Sequence, residues 1–281
     1  MRLLPKTMKR QTKMKLSTAT DILKNAGIVD AKREARLLFM HFSGLNNASL
    51  YGGDAESDSQ ELISAVERRK NREPLQYIIG EVDFYKETYK VAPDCLIPRS
   101  DTEILVDEVI KRLPDGARFI DLCTGSGCIA LSTLNNTNLT SAVAVDISEA
   151  ALAVARENAE RLSLTERVEF LKKDALSEAV AGSFFAVISN PPYVTSEAYK
   201  ALEPEIYFEP SIAFLGGEDG MKFYGKIISL YKDSLADGGF FAFEIGYDQG
   251  DLISALANAH SLKIEIYKDY SGNDRVAILR K

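Results

Sequence analysis

The sequence predicts an α/β protein, a mostly parallel sheet covered by helices and preceded by a small helical bundle. Two observations carry this. From Ala117 onward strand and helix signals alternate, the pattern of parallel strands joined by crossover helices. From Ser17 to about Arg72 the apolar residues recur only at helical spacing, which three or four short helices packed as a bundle explain. A third observation points to a ligand: the apolar strand Arg118 to Ile120 runs into the glycine-rich segment DLCTGSGCIA, Asp121 to Ala130, which opens a helix at about Gly127.

Residues 1 to 15 carry Arg2, Lys6, Lys9, Arg10, Lys13 and Lys15 and no acid, and are expected to be a disordered basic leader. It lacks the apolar stretch of a secretory signal. The bundle is expected over 16–73. Ser17 and Asp30 are candidate N-caps, and Ala31, Ala35, Leu38, Phe39 and Phe42 share one helix face. Gly27 and Gly44 end the first two helices, and a third runs from about Ser57 to Lys70. Pro74 to Val91, rich in Tyr, Ile, Val and Phe, reads as a β-hairpin linker. The second domain, 92–281, opens with a helix over Asp101 to Leu113. Strands are expected near 118–122, 142–145, 168–171, 184–188, 239–245, 263–267 and 275–279. Only Lys268 to Asp274 joins the last two, too short for a right-handed crossover, so they must pair antiparallel.

Composition narrows the function. With 46% hydrophobic and 27% charged residues over 281 positions, the chain is long enough for two cores. Its longest apolar runs, such as Phe184 to Ile188, fall far short of the ~20 residues of a membrane span. Net charge is −7, and with six cations in the leader the rest of the chain stands at −13. Such a body repels a nucleic-acid backbone. Cys95, Cys123 and Cys128 form no CxxC pair and suit a reducing compartment such as the cytoplasm, with no metal expected. Neither His41 nor His260 stands at triad or metal spacing with other ligands.

The spacing Gly125-x-Gly127-x-x-Ala130 alone also serves nicotinamide-dependent oxidoreductases. What separates the two is charge. Asp121 stands beside the loop, Asp146 ends the next strand, and Asp174 follows the third. These acids suit a ligand with a ribose, an adenine and a positive charge, and would repel a pyrophosphate; S-adenosylmethionine is that ligand. Thr124, Ser126 and the flanking Cys123 complete the loop. After the fourth strand stands Asn190-Pro191-Pro192-Tyr193. Two prolines fix the backbone and remove two N–H donors, Asn190 adds a side-chain oxygen, and Tyr193 a flat ring. A planar NH2 group can donate to Asn190 and to the Pro191 carbonyl while stacking on Tyr193, which aims its lone pair at a methyl donor.

In six blocks the chain resembles the release factor glutamine methyltransferases, the HemK/PrmC family. They are PLQYIIGEVDFY (Pro74 to Tyr85), LIPRSDTEILV (Leu96 to Val106), DLCTGSG, NPPY, EPSIAFLGGEDG (Glu209 to Gly220) and DYSGNDRVAIL (Asp269 to Leu279). The resemblance implies a class I S-adenosylmethionine-dependent methyltransferase, with a Rossmann-like seven-stranded sheet and an N-terminal helical bundle that binds the release factor. It also implies methylation of the glutamine amide of the Gly-Gly-Gln tripeptide in class 1 release factors; a monomer is expected. Carried over by position, Cys123 to Gly127 line the methionine end, Asp146 holds the ribose, Asp174 and Ala175 border the adenine, and Asn190 to Tyr193 grip the glutamine. Ser100 stands where a proline is usual, and Ala175 where an aromatic often covers the adenine. Because NPPY is shared with adenine-amino methyltransferases, a nucleic-acid substrate is the alternative; the acidic body and the lack of a target-recognition insertion speak against it.

Overall fold

The computed structural model describes residues 13–51 and 53–281, and the chain forms two compact units that meet at Ile79 and Gly80. In the first, a two-residue strand β1 (Met14–Lys15) pairs antiparallel with β2 (Glu56–Ser57). Around it stand α1 (Leu16–Asn25), α2 (Ala31–Ser43), α3 (Asn47–Tyr51), α4 (Gln60–Lys70) and α5 (Leu75–Ile79). Leu23, Ala35, Leu38, Phe39, Leu62 and Val66 are buried in its core, each on the apolar stripe of its helix. Gly44, in the left-handed region at φ +67, terminates α2.

Four local expectations are corrected here. The basic leader lies outside the described residues up to position 12, but Lys13 pairs with Glu56 at 3.3 Å and Met14 and Lys15 are strand. Ser17 does not cap a helix: it sits inside α1, where its amide and hydroxyl donate to Asp54 at 2.9 and 2.7 Å. Asp30 does precede α2, without a side-chain capping bond. The hairpin expected over Pro74 to Val91 is confined to β3 (Glu81–Phe84) and β4 (Glu87–Lys90). Leu75–Ile79 is helical, for Pro74 suits a helix start, Gly80 at φ +88 ends it, and Ile78 is buried in the bundle core.

In the second unit α6 (Thr102–Ile110) precedes the strands β5 (Arg118–Leu122), β6 (Ser141–Asp146), β7 (Val168–Lys172), β8 (Phe184–Ser189), β9 (Leu235–Glu244), β10 (Lys263–Lys268) and β11 (Asp274–Arg280). Between them run α7 (Cys128–Asn135), α8 (Glu149–Arg161), the short α9 (Ser196–Tyr199), α10 (Lys222–Tyr231) and α11 (Gly250–Ala259). The seven strands are ordered β10-β11-β9-β8-β5-β6-β7. Only β11 runs against its neighbours, β9 and β10. Every strand was expected, and the last two form the antiparallel pair that the short connection requires. Ile120, Val143, Val187 and Phe241 fill one face of the sheet, while Phe119, Ala144, Ile188 and Ala242 fill the other.

From β5 the chain winds to one side through β6 and β7 and returns on the other side as β8. Loops that leave β5 and β8 in opposite directions open a crevice at their carboxyl ends, where such sheets bind ligands. The register pairs Leu122 with Ser189 and with Val145, so the ends of β5, β6 and β8 lie level.

Candidate active site

At that crevice lies a cavity of about 460 Å³. From the glycine loop Cys123 and Gly125 reach it, from β6 and β7 Asp146, Asp174 and Ala175, and from the β8 loop Asn190 and Pro192. Its remaining walls include Ile147, Ile212 and Phe223. Ile147 and Phe223 are apolar walls of the cavity in which Ala175 offers only a methyl.

The glycine loop is held in place by the acids around it. Asp146 accepts from the Gly125 amide at 2.9 Å and from the Ser148 amide at 2.9 Å, which ties the first loop to the second. Burial pushes its carboxyl up, opposed by the Ser148 and Gly125 amides. Gly125 lies at φ +55 with only the Cys95 Cβ, 4.0 Å away, near where its own would stand, so its backbone stays accessible to a ligand. A Cβ on Gly127 would come within 3.1 Å of Ala155 and 3.2 Å of Leu131; this glycine serves helix packing. Asp174 accepts from the Leu176 amide and the Ser177 hydroxyl, both at 2.9 Å, and still borders the cavity.

Asp121, Thr124, Ser126 and Gly127 stand behind the cavity wall. Asp121 is fully buried and accepts from the Thr124 hydroxyl at 2.5 Å. Burial pushes its carboxyl up to about 7, against the Thr124 hydroxyl and the Ala130 amide. Such a group braces the loop from behind. Cys123 faces the cavity, but burial first and then the nearby Asp146 drive its thiol far above its ordinary value, and a thiol so held is a poor nucleophile.

The β8 loop is the most constrained part of the site. Val194 donates to the Phe214 carbonyl at 2.7 Å and accepts from the Gly216 amide at 2.9 Å, while Gln249 Nε2 donates to the Tyr193 carbonyl at 3.2 Å. A Cβ on Gly216 would lie 2.6 Å from the Pro192 oxygen, and one on Gly220 2.3 Å from the Tyr193 oxygen. The two glycines therefore let the 214–220 segment lie flat against the Asn-Pro-Pro-Tyr backbone. Pro191 is buried, and Tyr193 packs behind the wall with its hydroxyl donating to Glu244 at 3.1 Å.

Comparison with known proteins assigns this arrangement to a family. The model of the Methyltransferase small domain matches residues 100–208, and that of the PrmC N-terminal domain residues 15–80. A curated release factor glutamine methyltransferase from Caulobacter vibrioides is 38% identical over 270 residues, 93% of this chain and 93% of its own. This chain belongs to the release factor glutamine methyltransferase family. A relative of the same name from Thermodesulfovibrio yellowstonii is 40% identical over 258 residues, covering 89% of this chain and 92% of its own. A methyltransferase structure from Pyrococcus furiosus, 19% identical over 68% of this chain and 86% of its own, has the same fold with a TM-score of 0.52.

Two of the sequence blocks quoted above, Leu96 to Val106 and Glu209 to Gly220, meet in space. Glu209, 4% exposed, accepts from the Ile97 amide at 2.9 Å and pairs with Arg99, which ties together the two segments whose neighbours, Leu96 and Pro210 to Ala213, line the cavity. Sequence reasoning missed Glu209 as a clasp, and it missed Thr102 and Glu244. Glu244 ends β9 and is buried, and Thr102 donates to it at 2.6 Å. An acid at the carboxyl end of the fifth parallel strand was a readable signal, of the same kind that singled out Asp146.

Proposed function

We propose that this protein transfers a methyl group from S-adenosylmethionine to the side-chain amide nitrogen of the glutamine in the Gly-Gly-Gln tripeptide of class 1 peptide chain release factors, leaving S-adenosylhomocysteine. The reading is carried by the immobilised Asn190 to Tyr193 loop at the edge of an acid-rimmed cavity, in a chain whose close relatives bear that name. The cavity suits the cofactor. Asp146 retains lone pairs for ribose hydroxyls, Gly125 leaves backbone bare for the methionine end, and Asp174 with Ala175, Ile147 and Phe223 offers an acceptor and apolar cover to an adenine. Bound there, the cofactor supplies an electrophilic methyl on a sulfonium.

An amide nitrogen is a poor nucleophile because its lone pair is delocalised into the carbonyl. The chain's task is therefore to hold the amide and raise its electron density. Asn190 accepts one N–H and the Pro191 carbonyl the other, which favours a partly pyramidal nitrogen. Tyr193 stands behind the cavity wall with its hydroxyl anchored on Glu244, so it braces the loop that presents these acceptors. Two prolines and the 214–220 segment keep these groups in place, so orientation is set before the substrate arrives. No ionisable base is needed, since the nitrogen becomes acidic once methylated. The acidic body favours a basic partner surface, the helical bundle is the second contact with the release factor, and the enzyme works as a monomer in the cytoplasm.

The test is methyl incorporation from labelled cofactor into a purified release factor, into the same factor with its tripeptide glutamine changed to alanine, and into DNA and total RNA. Label on the intact factor alone is expected, with a KM for the factor that rises with added salt. Label on nucleic acid would overturn this assignment in favour of adenine methylation.

A further inference from the structure

We propose that Thr102 and Glu244 form a hydrogen-bond relay that turns the Asn190 side chain so that its oxygen, and not its nitrogen, meets the substrate. The proposal rests on the methyl-transfer reading of the site and adds two positioning residues to it. Neither borders the cavity: Thr102 and Glu244 are each 2% exposed. They reach the site from the first residue of α6 and the last residue of β9.

The argument is one of proton direction. An ionised carboxylate only accepts hydrogen bonds, and a threonine hydroxyl has a single hydrogen. Thr102 Oγ1 lies 2.6 Å from Glu244 Oε2, so the hydroxyl hydrogen is committed to the carboxylate. What Thr102 then turns toward Asn190 is a lone pair, and Asn190 Nδ2 lies 3.4 Å from it as donor. That bond is long, as such contacts are before a substrate tightens them, and an ionised Glu244 sets its polarity. A flipped Asn190 would set oxygen against oxygen with no hydrogen between them. With Nδ2 turned to Thr102, Oδ1 is left for the substrate N–H, the orientation that methyl transfer to an amide nitrogen requires.

The carboxylate end is supported as well. Tyr193 donates to the second oxygen, Oε1, at 3.1 Å. Burial pushes the Glu244 carboxyl up; the Thr102 hydroxyl, the Arg275 guanidinium and the Tyr193 hydroxyl push back toward the ionised form, while Asp101 adds to the upward push. Arg275 is held over this end by Asp269 at 3.1 Å and Asp101 at 3.4 Å. One buried carboxylate thus fixes two members of the substrate loop, Tyr193 directly by its hydroxyl and Asn190 through Thr102.

Thr102→Val keeps the shape and removes the hydroxyl. We expect kcat to fall about 10-fold, the loss of one polar contact made to an orienting group, with cofactor affinity unchanged and the melting temperature lowered because the buried Glu244 loses a donor. Thr102→Ser, which restores the hydroxyl, is expected to recover kcat to within about 2-fold. Glu244→Gln, whose amide can donate to Thr102 and reverse the relay, is expected to lower kcat similarly, and the double variant to be no worse than Glu244→Gln alone because the groups act in series. A Thr102→Val enzyme with full kcat would overturn the relay, as would a Thr102→Ser enzyme no better than Thr102→Val, or losses that simply add. The ratios are read on whichever acceptor the wild type labels. A wild type that labels nucleic acid and not the release factor therefore refutes the substrate assignment while the variant ratios still decide the relay.

Discussion

The two halves of the site are built by different means. On the side of β5, β6 and β7 the loops satisfy themselves: Asp146 takes the Gly125 and Ser148 amides, and Asp174 takes Leu176 and Ser177, two and three residues on. On the side of β8 almost nothing is local. Thr102, Gly216, Gly220, Glu244 and Gln249 hold the Asn-Pro-Pro-Tyr loop from far along the chain. A cofactor side that closes on short loops tolerates local change, whereas a substrate side held by remote segments fails as a unit.

The strongest test of that contrast is a pair of glycine substitutions. In Gly220→Ala the new Cβ would meet the Tyr193 oxygen at 2.3 Å and Gln249 Nε2 at 2.4 Å, at φ +73. Gly125→Ala meets nothing nearer than 4.0 Å, at φ +55. Denaturant unfolding is expected to show a loss of about 4 kcal/mol for Gly220→Ala, a clash with backbone that cannot move, and about 1 kcal/mol for Gly125→Ala, from its positive φ. Equal losses would remove the distinction between the two sides.

Asn190→Ala asks the same question of function. Turnover is expected to drop about 100-fold, the scale of removing one oriented polar group from a transition state, while equilibrium binding of the cofactor changes less than about 2-fold. Parallel loss of both would mean that Asn190 serves the cofactor side instead.

Asp121 sharpens the cofactor side through the dependence of stability on pH. Its folded carboxyl titrates near 7 against 3.8 for the free group, so between those values the folded chain holds a proton that the unfolded chain has released. Its contribution to stability is complete below about pH 4 and disappears as pH rises through 7, on the order of 2 kcal/mol between pH 5 and 7. Asp121→Asn should flatten this part of the stability curve. A slope unchanged from wild type would show that Asp121 is not the group responsible.

The same contrast explains what could be read from the sequence. The glycine loop, Asp146, Asp174 and the Asn-Pro-Pro-Tyr run are local words, each marked by a strand that ends just before it. Thr102, Glu209 and Glu244 act over separations of 88 to 142 residues, and no spacing rule links them until the sheet brings them together. In the fold, the strands of the sheet were legible because buried parallel strands are continuous apolar runs. Leu75–Ile79 misled because Tyr-Ile-Ile favours strand, while the packing of Ile78 into the bundle and the stop at Gly80 decided for helix. Ser17 looked like a cap because it is a serine ahead of an apolar run; the chain leaves β1 at Lys15 and the helix already begins at Leu16, one residue before it.

The position of β11 has a consequence for biosynthesis. It is the strand furthest along the chain, yet it lies inside the sheet between β9 and β10, with Val276, Ala277, Ile278 and Leu279 buried. As the chain is made from its amino end, β9 keeps an open, apolar edge until β11 emerges. Arg275, which stands over the Glu244 carboxylate, arrives on that same strand. A nascent chain stopped short of it would carry both an unpaired edge and an unbalanced buried acid, two features by which quality control can recognise an unfinished product.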